Sequence, residues 1–246
     1  TLVSLVFVLL VGLVGPAIAQ FGFLPKAGLT PDSPFYFLDR WGENISMTFS
    51  FSAKAKSEKA LKFAEERLSE IERMTEEKKT KQVKKLTEKY QQSLELAQKK
   101  SKKEQVVAKV ASSTSKHLSV LEEVLGKVPE EAEQSIKKAK ENSKKGHMQA
   151  LNALSKSNPE QAAKIGAKGL QQRLEELKQA TGTKQAQRAK SITKDFQDLS
   201  ENFKKMAQNA ERVKVQQIVG SSTSKHLEIL REQLENAPEE AQICFE

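Results

Sequence analysis

The stretch SSTSKHL stands twice in this chain, at Ser112–Leu118 and at Ser221–Leu227, 109 positions apart. The match runs well past the heptapeptide. Residues 106–136 (VVAKVASSTSKHLSVLEEVLGKVPEEAEQSI) align with residues 215–245 (VQQIVGSSTSKHLEILREQLENAPEEAQICF). Upstream the likeness continues at an offset of 106, where Arg67-Leu68 meets Arg173-Leu174, Leu86 meets Ile192 and Tyr90 meets Phe196. The second copy therefore carries three extra residues between the two blocks. The chain thus holds an internal duplication.

The unit reads as helical. Charged residues make up 30% of the chain and aromatics only 6%, the balance of amphipathic helices rich in Ala, Glu, Lys, Leu and Gln. Beyond residue 20 no alternating β-branched run bounded by turn residues occurs, so strands are not expected. The fold class is all-α: an elongated antiparallel helical bundle of two tandem three-helix repeats with long central helices. In copy 1 a helix over about 53–77 buries Leu61, Ala64, Leu68, Ile71 and Met74. A second, over about 80–127, carries a heptad-like seam of Val83, Leu86, Tyr90, Ala97, Val107, Ala111, Thr114, Leu118, Leu121, Leu125 and Val128. As one helix it would run roughly 70 Å. A third opens at Pro129-Glu130-Glu131, with proline and acids suited to a helix N-terminus, and buries Ala132, Ile136, Ala139, Ala150, Leu151 and Leu154. The first and third helices are expected to share out the length of the long one, which keeps Leu68 and Leu121 apart.

Copy 2 starts at Ser157-Asn158-Pro159, with Asn158 as N-cap. Its long helix runs over about 183–236, and its three extra residues are expected to act as a stammer that overwinds the helix. Pro238-Glu239-Glu240 opens a further helix. The domain reading is residues 1–19 signal peptide, 20–52 aromatic N-terminal segment, 53–157 repeat 1 and 158–246 repeat 2.

The first twenty residues, TLVSLVFVLLVGLVGPAIAQ, form an apolar run ending in Ala17-Ile18-Ala19, the small-residue pattern of a signal peptidase site. Cleavage before Gln20 and an extracytoplasmic location are expected: secreted, periplasmic or cell surface. An uncleaved anchor is the alternative. The run is short for a span and Gly15-Pro16 interrupts it. Neither a starting Met nor a basic n-region is present, and the last helix stops within a few residues, so the chain is expected to continue at both ends. The single cysteine, Cys244, allows no internal disulfide. A net charge of +9 suits an anionic envelope surface. Lysines interleaved with glutamates, and few aromatics for base stacking, argue against nucleic acid.

Before the first repeat lies Pro31-Asp32-Ser33-Pro34-Phe35-Tyr36-Phe37-Leu38-Asp39-Arg40-Trp41. Asp32 or Ser33 is expected to cap a short helix with Pro34 at its first position. Phe35, Leu38, Trp41 and Ile45 then share one face. The expectation is that these aromatics dock the helix onto the first bundle, because large aromatics chiefly supply buried area. The other reading is an aromatic ligand or membrane-interface patch. Asn44-Ile45-Ser46 matches a glycosylation sequon.

The residues GLTPDSPFYFLDRWGENISMTFSFSAKAKSEKALKFAEERLSEIERM, together with TSKHLSVLEEVLGKVPEEA and the duplication, resemble an uncharacterised family of secreted prokaryotic proteins known only as a domain of unknown function. The resemblance covers roughly residues 26–165, with a weaker echo in copy 2. It implies an all-helical extracytoplasmic protein and carries no catalytic residue.

As chemistry, SSTSKHL offers Ser113 and His117, and Ser222 and His226, each pair four apart on a helix. A hydrolase also needs an acid behind the histidine, an oxyanion hole and a pocket; Glu122 lies on the wrong side of the helix to serve. His117, His147 and His226 are the only histidines and show no ligand spacing, so no metal site is expected. Carboxylates read as helix-surface ion pairs such as Glu58–Lys62. The expectation is a non-enzyme without cofactor or small-molecule substrate, acting by protein interaction or self-association. A periplasmic chaperone or stress-type binding protein is the alternative. Thr114, His117 and Leu118, with Thr223, His226 and Leu227, are candidate packing or interaction positions on the seam, and Phe35 and Trp41 are candidates in the aromatic segment.

Overall fold

A computed structural model describes residues 24, 25, 27–182, 186–208 and 213–236, with some side chains near the ends of the last three helices left undescribed. The proposed signal segment and cleavage site, Pro238-Glu239-Glu240 and Cys244 lie outside these residues. The described chain is all-helical: α1 (Tyr36–Thr48), α2 (Ala53–Glu76), α3 (Thr80–Lys100), α4 (Glu104–Leu125), α5 (Glu130–Ser157), α6 (Pro159–Gly182), α7 (Ala186–Gln208) and α8 (Val213–Asn236).

Local signals set many of the helix ends. The Ser52 side chain accepts a hydrogen bond from the Ala55 amide and caps α2. Asn158 caps α6 as expected, its Oδ1 accepting from the Gln161 amide at 3.0 Å. Between α2 and α3 the chain turns through Lys78 at φ 56, the left-handed step that often ends a helix. The Lys79 amide then returns to the Met74 carbonyl at 2.8 Å.

The expected 70 Å helix does not exist. The chain breaks at residues 101–103, where the Ser101 hydroxyl and amide both fold back onto the Gln98 carbonyl, and α4 returns antiparallel to α3. Leu68 and Leu121 consequently share one hydrophobic cluster with Val83, Tyr90 and Ile136, so the expectation that they lie far apart is wrong. Most of the expected seam is buried, Val83, Leu86, Tyr90 and Ala97 on α3 and Val107, Ala111, Thr114, Leu118 and Leu121 on α4, while Leu125 and Val128 are half-buried. The seam serves two helices rather than one. In copy 2, α7 ends at Gln208 and α8 starts at Val213. The residues between them, where the stammer is expected, lie outside the described residues.

Each repeat is thus built on helical hairpins. α2 pairs with α3, α4 with α5 and α6 with α7. Cross-links fix how the hairpins stack. Glu58 meets Lys109 and Glu65 meets Ser113, so α4 runs parallel to α2. Asn158 meets Glu104 and Arg173 meets Ser119, so α6 runs parallel to α4. Gln91 meets Asn142, and Lys144 meets Asp195, so α3, α5 and α7 form a second parallel layer. α8 packs beside α6 and extends the first layer. The result is a two-layer stack of helical hairpins in which each unit chiefly contacts its neighbours. Glu58 and Lys62 do not pair with each other as expected: Glu58 reaches Lys109 across the stack, and Lys62 reaches Glu66.

The stack exposes a shorter repeat inside the duplicated one. Residues 67–72 of α2 read RLSEIE and residues 117–122 of α4 read HLSVLE. Arg67 of α2 and His117 of α4 thus stand at like positions, and the offsets of 106 and 109 bring Arg173 of α6 and His226 of α8 to the corresponding ones.

Candidate functional site

These four basic side chains are all buried. Burying a guanidinium or imidazole is unfavourable unless partners satisfy it. In this stack each side chain reaches back to the preceding unit for a partner.

Arg67 reaches α1. It donates to the Tyr36 hydroxyl at 2.7 Å and to Glu43 Oε1 at 2.5 Å, and lies 3.0 Å from Glu70 Oε1. Tyr36 in turn donates to Glu70. Burial raises the Glu70 carboxyl to about 7 against the pull of Arg67, and raises the Tyr36 phenol to about 12.

His117 reaches α3 and α2. The Tyr90 hydroxyl and His117 Nδ1 share a hydrogen bond at 3.1 Å, and His117 Nε2 lies 3.9 Å from Glu65 Oε1, too long for a hydrogen bond. Burial holds the imidazole below its ordinary value and therefore neutral near pH 7. Arg173 donates to Ser119 on α4 and to Glu176. His226 meets the Phe196 ring edge-on at a centroid distance of 5.9 Å, the duplicate of the Tyr90–His117 contact at 5.6 Å. A fifth buried basic side chain lies between layers, where His147 Nδ1 donates to the Ala111 carbonyl at 2.7 Å.

The candidate residues of SSTSKHL separate between the copies. Thr114, His117 and Leu118 are fully buried, with Thr114 bonded back to the Val110 carbonyl at 2.7 Å. His226 is buried, whereas Thr223 stands exposed and donates to the Val219 carbonyl; the helix expected to pair with α8 from Pro238 lies outside the described residues. The side chain of Leu227 lies outside the described residues. Ser113 donates to Glu65 at 2.9 Å and His117 Nδ1 is taken by Tyr90, so the serine and histidine are not joined as nucleophile and base.

The aromatic segment overturns its expectation. α1 starts at Tyr36, two residues later than expected. Its N-cap, Phe35, makes no side-chain cap bond, and Asp32 pairs instead with Lys79 at 2.5 Å. The helix docks by Tyr36 and Glu43. Phe35 and Trp41 stand 60% and 65% exposed, and Leu38 and Ile45 are also exposed. The buried polar network on Arg67, rather than aromatic area, decides which face turns inward.

Two features had no sequence reading. Lys140 and Lys144 of α5 are buried against α7, where Lys140 pairs with Glu122 and Asp195, and Lys144 with Asp195 and Asp198. The only available signal was their i,i+4 spacing, which is common on solvated faces. A polar groove of roughly 540 Å³ also runs between α3 and α5, lined by Gln91, Gln92, Gln98, Asn142 and Gln149 with Leu94 among them. No group of three or more His, Cys, Asp or Glu with metal-binding geometry occurs among the described residues.

No curated protein and no solved structure matches the chain. A family model does: residues 28–131, from the segment before α1 through α4 to the first residues of α5, carry a domain of unknown function (DUF5667).

Proposed function

We propose that the protein is a non-enzymatic helical-hairpin scaffold that acts outside the cytoplasm by holding a protein partner. The observation that carries this reading is the two-layer stack itself. Hairpin stacks offer long continuous surfaces whose shape is set by contacts between neighbouring units. Here those contacts include buried ion pairs and hydrogen bonds, which fix register between units. The groove between α3 and α5 supplies a recognition surface rich in side-chain amides, which both donate and accept. The apolar run with Ala17-Ile18-Ala19 supports export.

The reading is tested by a photo-crosslinking residue placed at Gln92 or Gln149 in the groove and, as reference, at Lys164 on α6. A single protein captured from the groove positions, and lost when Asn142→Trp fills the groove, is the expected result. Equal capture at all three positions, or none, would overturn it. A periplasmic chaperone remains the second reading, favoured by the same amide-rich groove. It requires that excess protein suppress aggregation of an unfolded client.

A further inference from the structure

The large apolar side chains that stand exposed among the described residues all fall between positions 29 and 51. Elsewhere the helices bury their apolar faces, and α1 does the reverse. At about 100° per residue, Tyr36, Glu43 and the half-buried Met47 form one side, toward Arg67. Phe37, Leu38, Trp41 and Ile45 form the opposite side, toward solvent, with Phe37 and Trp41 each 65% exposed. Phe35 precedes this face, and Phe49 and Phe51 follow it, the last 90% exposed.

This orientation is enforced. The Arg67 network holds the polar side down, and Lys59 donates to the Ser46 carbonyl at the far end at 2.6 Å. Just upstream, the Pro25 carbonyl accepts from Ser69 at 2.7 Å. A contiguous apolar surface held outward marks an interaction site.

We propose that α1 and its flanking phenylalanines lie in the surface of an anionic lipid bilayer. Three observations select lipid as the occupant. First, the apolar face is flanked by cations. The exposed Lys85, and Lys89, which lies 5.8 Å over the Tyr36 ring, stand beside α1, while Arg40 is paired with Glu43. Burial and the repulsion of Arg40 and Lys85 hold Lys89 below its ordinary value. Lys59 stands at the other end. An anionic headgroup layer would neutralise these lysines. Second, the mixture of one tryptophan with phenylalanines, backed by a docked polar side, is the composition of interfacial helices. Third, residues 1–25 contain no charged residue. As an export signal such a run is handled at the membrane, and α1 follows it closely in the chain. The proposal does not depend on the protein-partner reading above.

Trp41 is the only tryptophan in the chain, so its fluorescence reports this face directly in the whole protein. Vesicles of equal parts phosphatidylglycerol and phosphatidylcholine are expected to shift its emission to the blue. Brominated acyl chains in those vesicles are expected to quench it, with little effect from pure phosphatidylcholine. A Phe37→Ser/Ile45→Ser variant should bind at least about tenfold more weakly with unchanged circular dichroism, because both side chains face solvent. The proposal is overturned if the protein sediments with vesicles while Trp41 stays unquenched, since residues 1–19 would then be the attachment. It is equally overturned if Trp41 is shielded from acrylamide before lipid is added. Shielding that grows with protein concentration would assign the face to a second copy, and shielding in dilute protein would assign it to another part of the chain.

Discussion

Acid should weaken this protein through His147 more than through any exposed group. The ring is fully buried between α5 and α4, and its Nδ1–H donates to the Ala111 carbonyl. Burial, with the nearby Arg173 charge, drops its value from 6.5 to about 4. In the unfolded chain the imidazole takes up a proton below pH 6.5, whereas the folded protein keeps it neutral until about pH 4. The unfolded state thus binds more protons across that window. Stability is full above pH 6.5 and falls as pH drops from 6.5 to 4. At 1.36 kcal/mol per tenfold change in proton affinity, the loss attributable to His147 is about 3 kcal/mol. His147→Asn isolates it, because the amide nitrogen can replace Nδ1 as donor to Ala111 without titrating. Urea unfolding followed by circular dichroism at pH 7, 6, 5 and 4 should show the variant losing about 3 kcal/mol less than the parent. His117 and His226 are shifted downward too, but they are common to both proteins and cancel. Parallel stability profiles for parent and variant would refute the reasoning.

Glu72 titrates with the opposite sign. Burial, then Glu123 and Glu76, raise its carboxyl to about 7, so the stability it confers is present below pH 4.5 and is lost as pH rises through 7. Glu72→Gln should stabilise the protein at pH 8 by about 1 kcal/mol, discounted for partial exposure, and do little at pH 4; thermal melts at the two pH values check it. Arg67→Met should destabilise by roughly 3–5 kcal/mol because Glu43 and Glu70 lose the cation that compensates their burial. Adding Glu43→Gln and Glu70→Gln should recover most of the loss, and calorimetric melting of the single and triple variants decides it.

What made the helices legible is local. The apolar spacing Leu61, Ala64, Leu68, Ile71, Met74 selects one face of α2 whatever packs against it, and the structure buries all five. Asn158 caps α6 through an atom three residues from its partner. The turn at residues 101–103 was harder to read. Neither Gly nor Pro marks it, and lysine and serine extend a helix tolerably well. The one signal was that residues 98–105 contain no apolar side chain, about two turns with nothing to bury. The hairpin-level repeat was hidden for a different reason. RLSEIE and HLSVLE keep the leucine and the acid but exchange Arg for His, and each change follows the partner supplied by the unit before it.

The sequence alone therefore determines that the chain is helical, that its segments recur at offsets of 106 and 109, and which apolar faces of α2 to α5 leave water. These depend on periodicity and on contacts a few residues long. Tertiary structure alone decides that the helices fold as stacked hairpins, because reversal at residues 101–103 gains its advantage only when α4 finds α2 and α5. It also decides the orientation of α1. By its helical spacing that helix should hide Phe35, Leu38, Trp41 and Ile45. It exposes them because Arg67, already buried in α2, needs Tyr36 and Glu43, and leaving a buried guanidinium unpaired is less favourable than leaving aromatic surface in water.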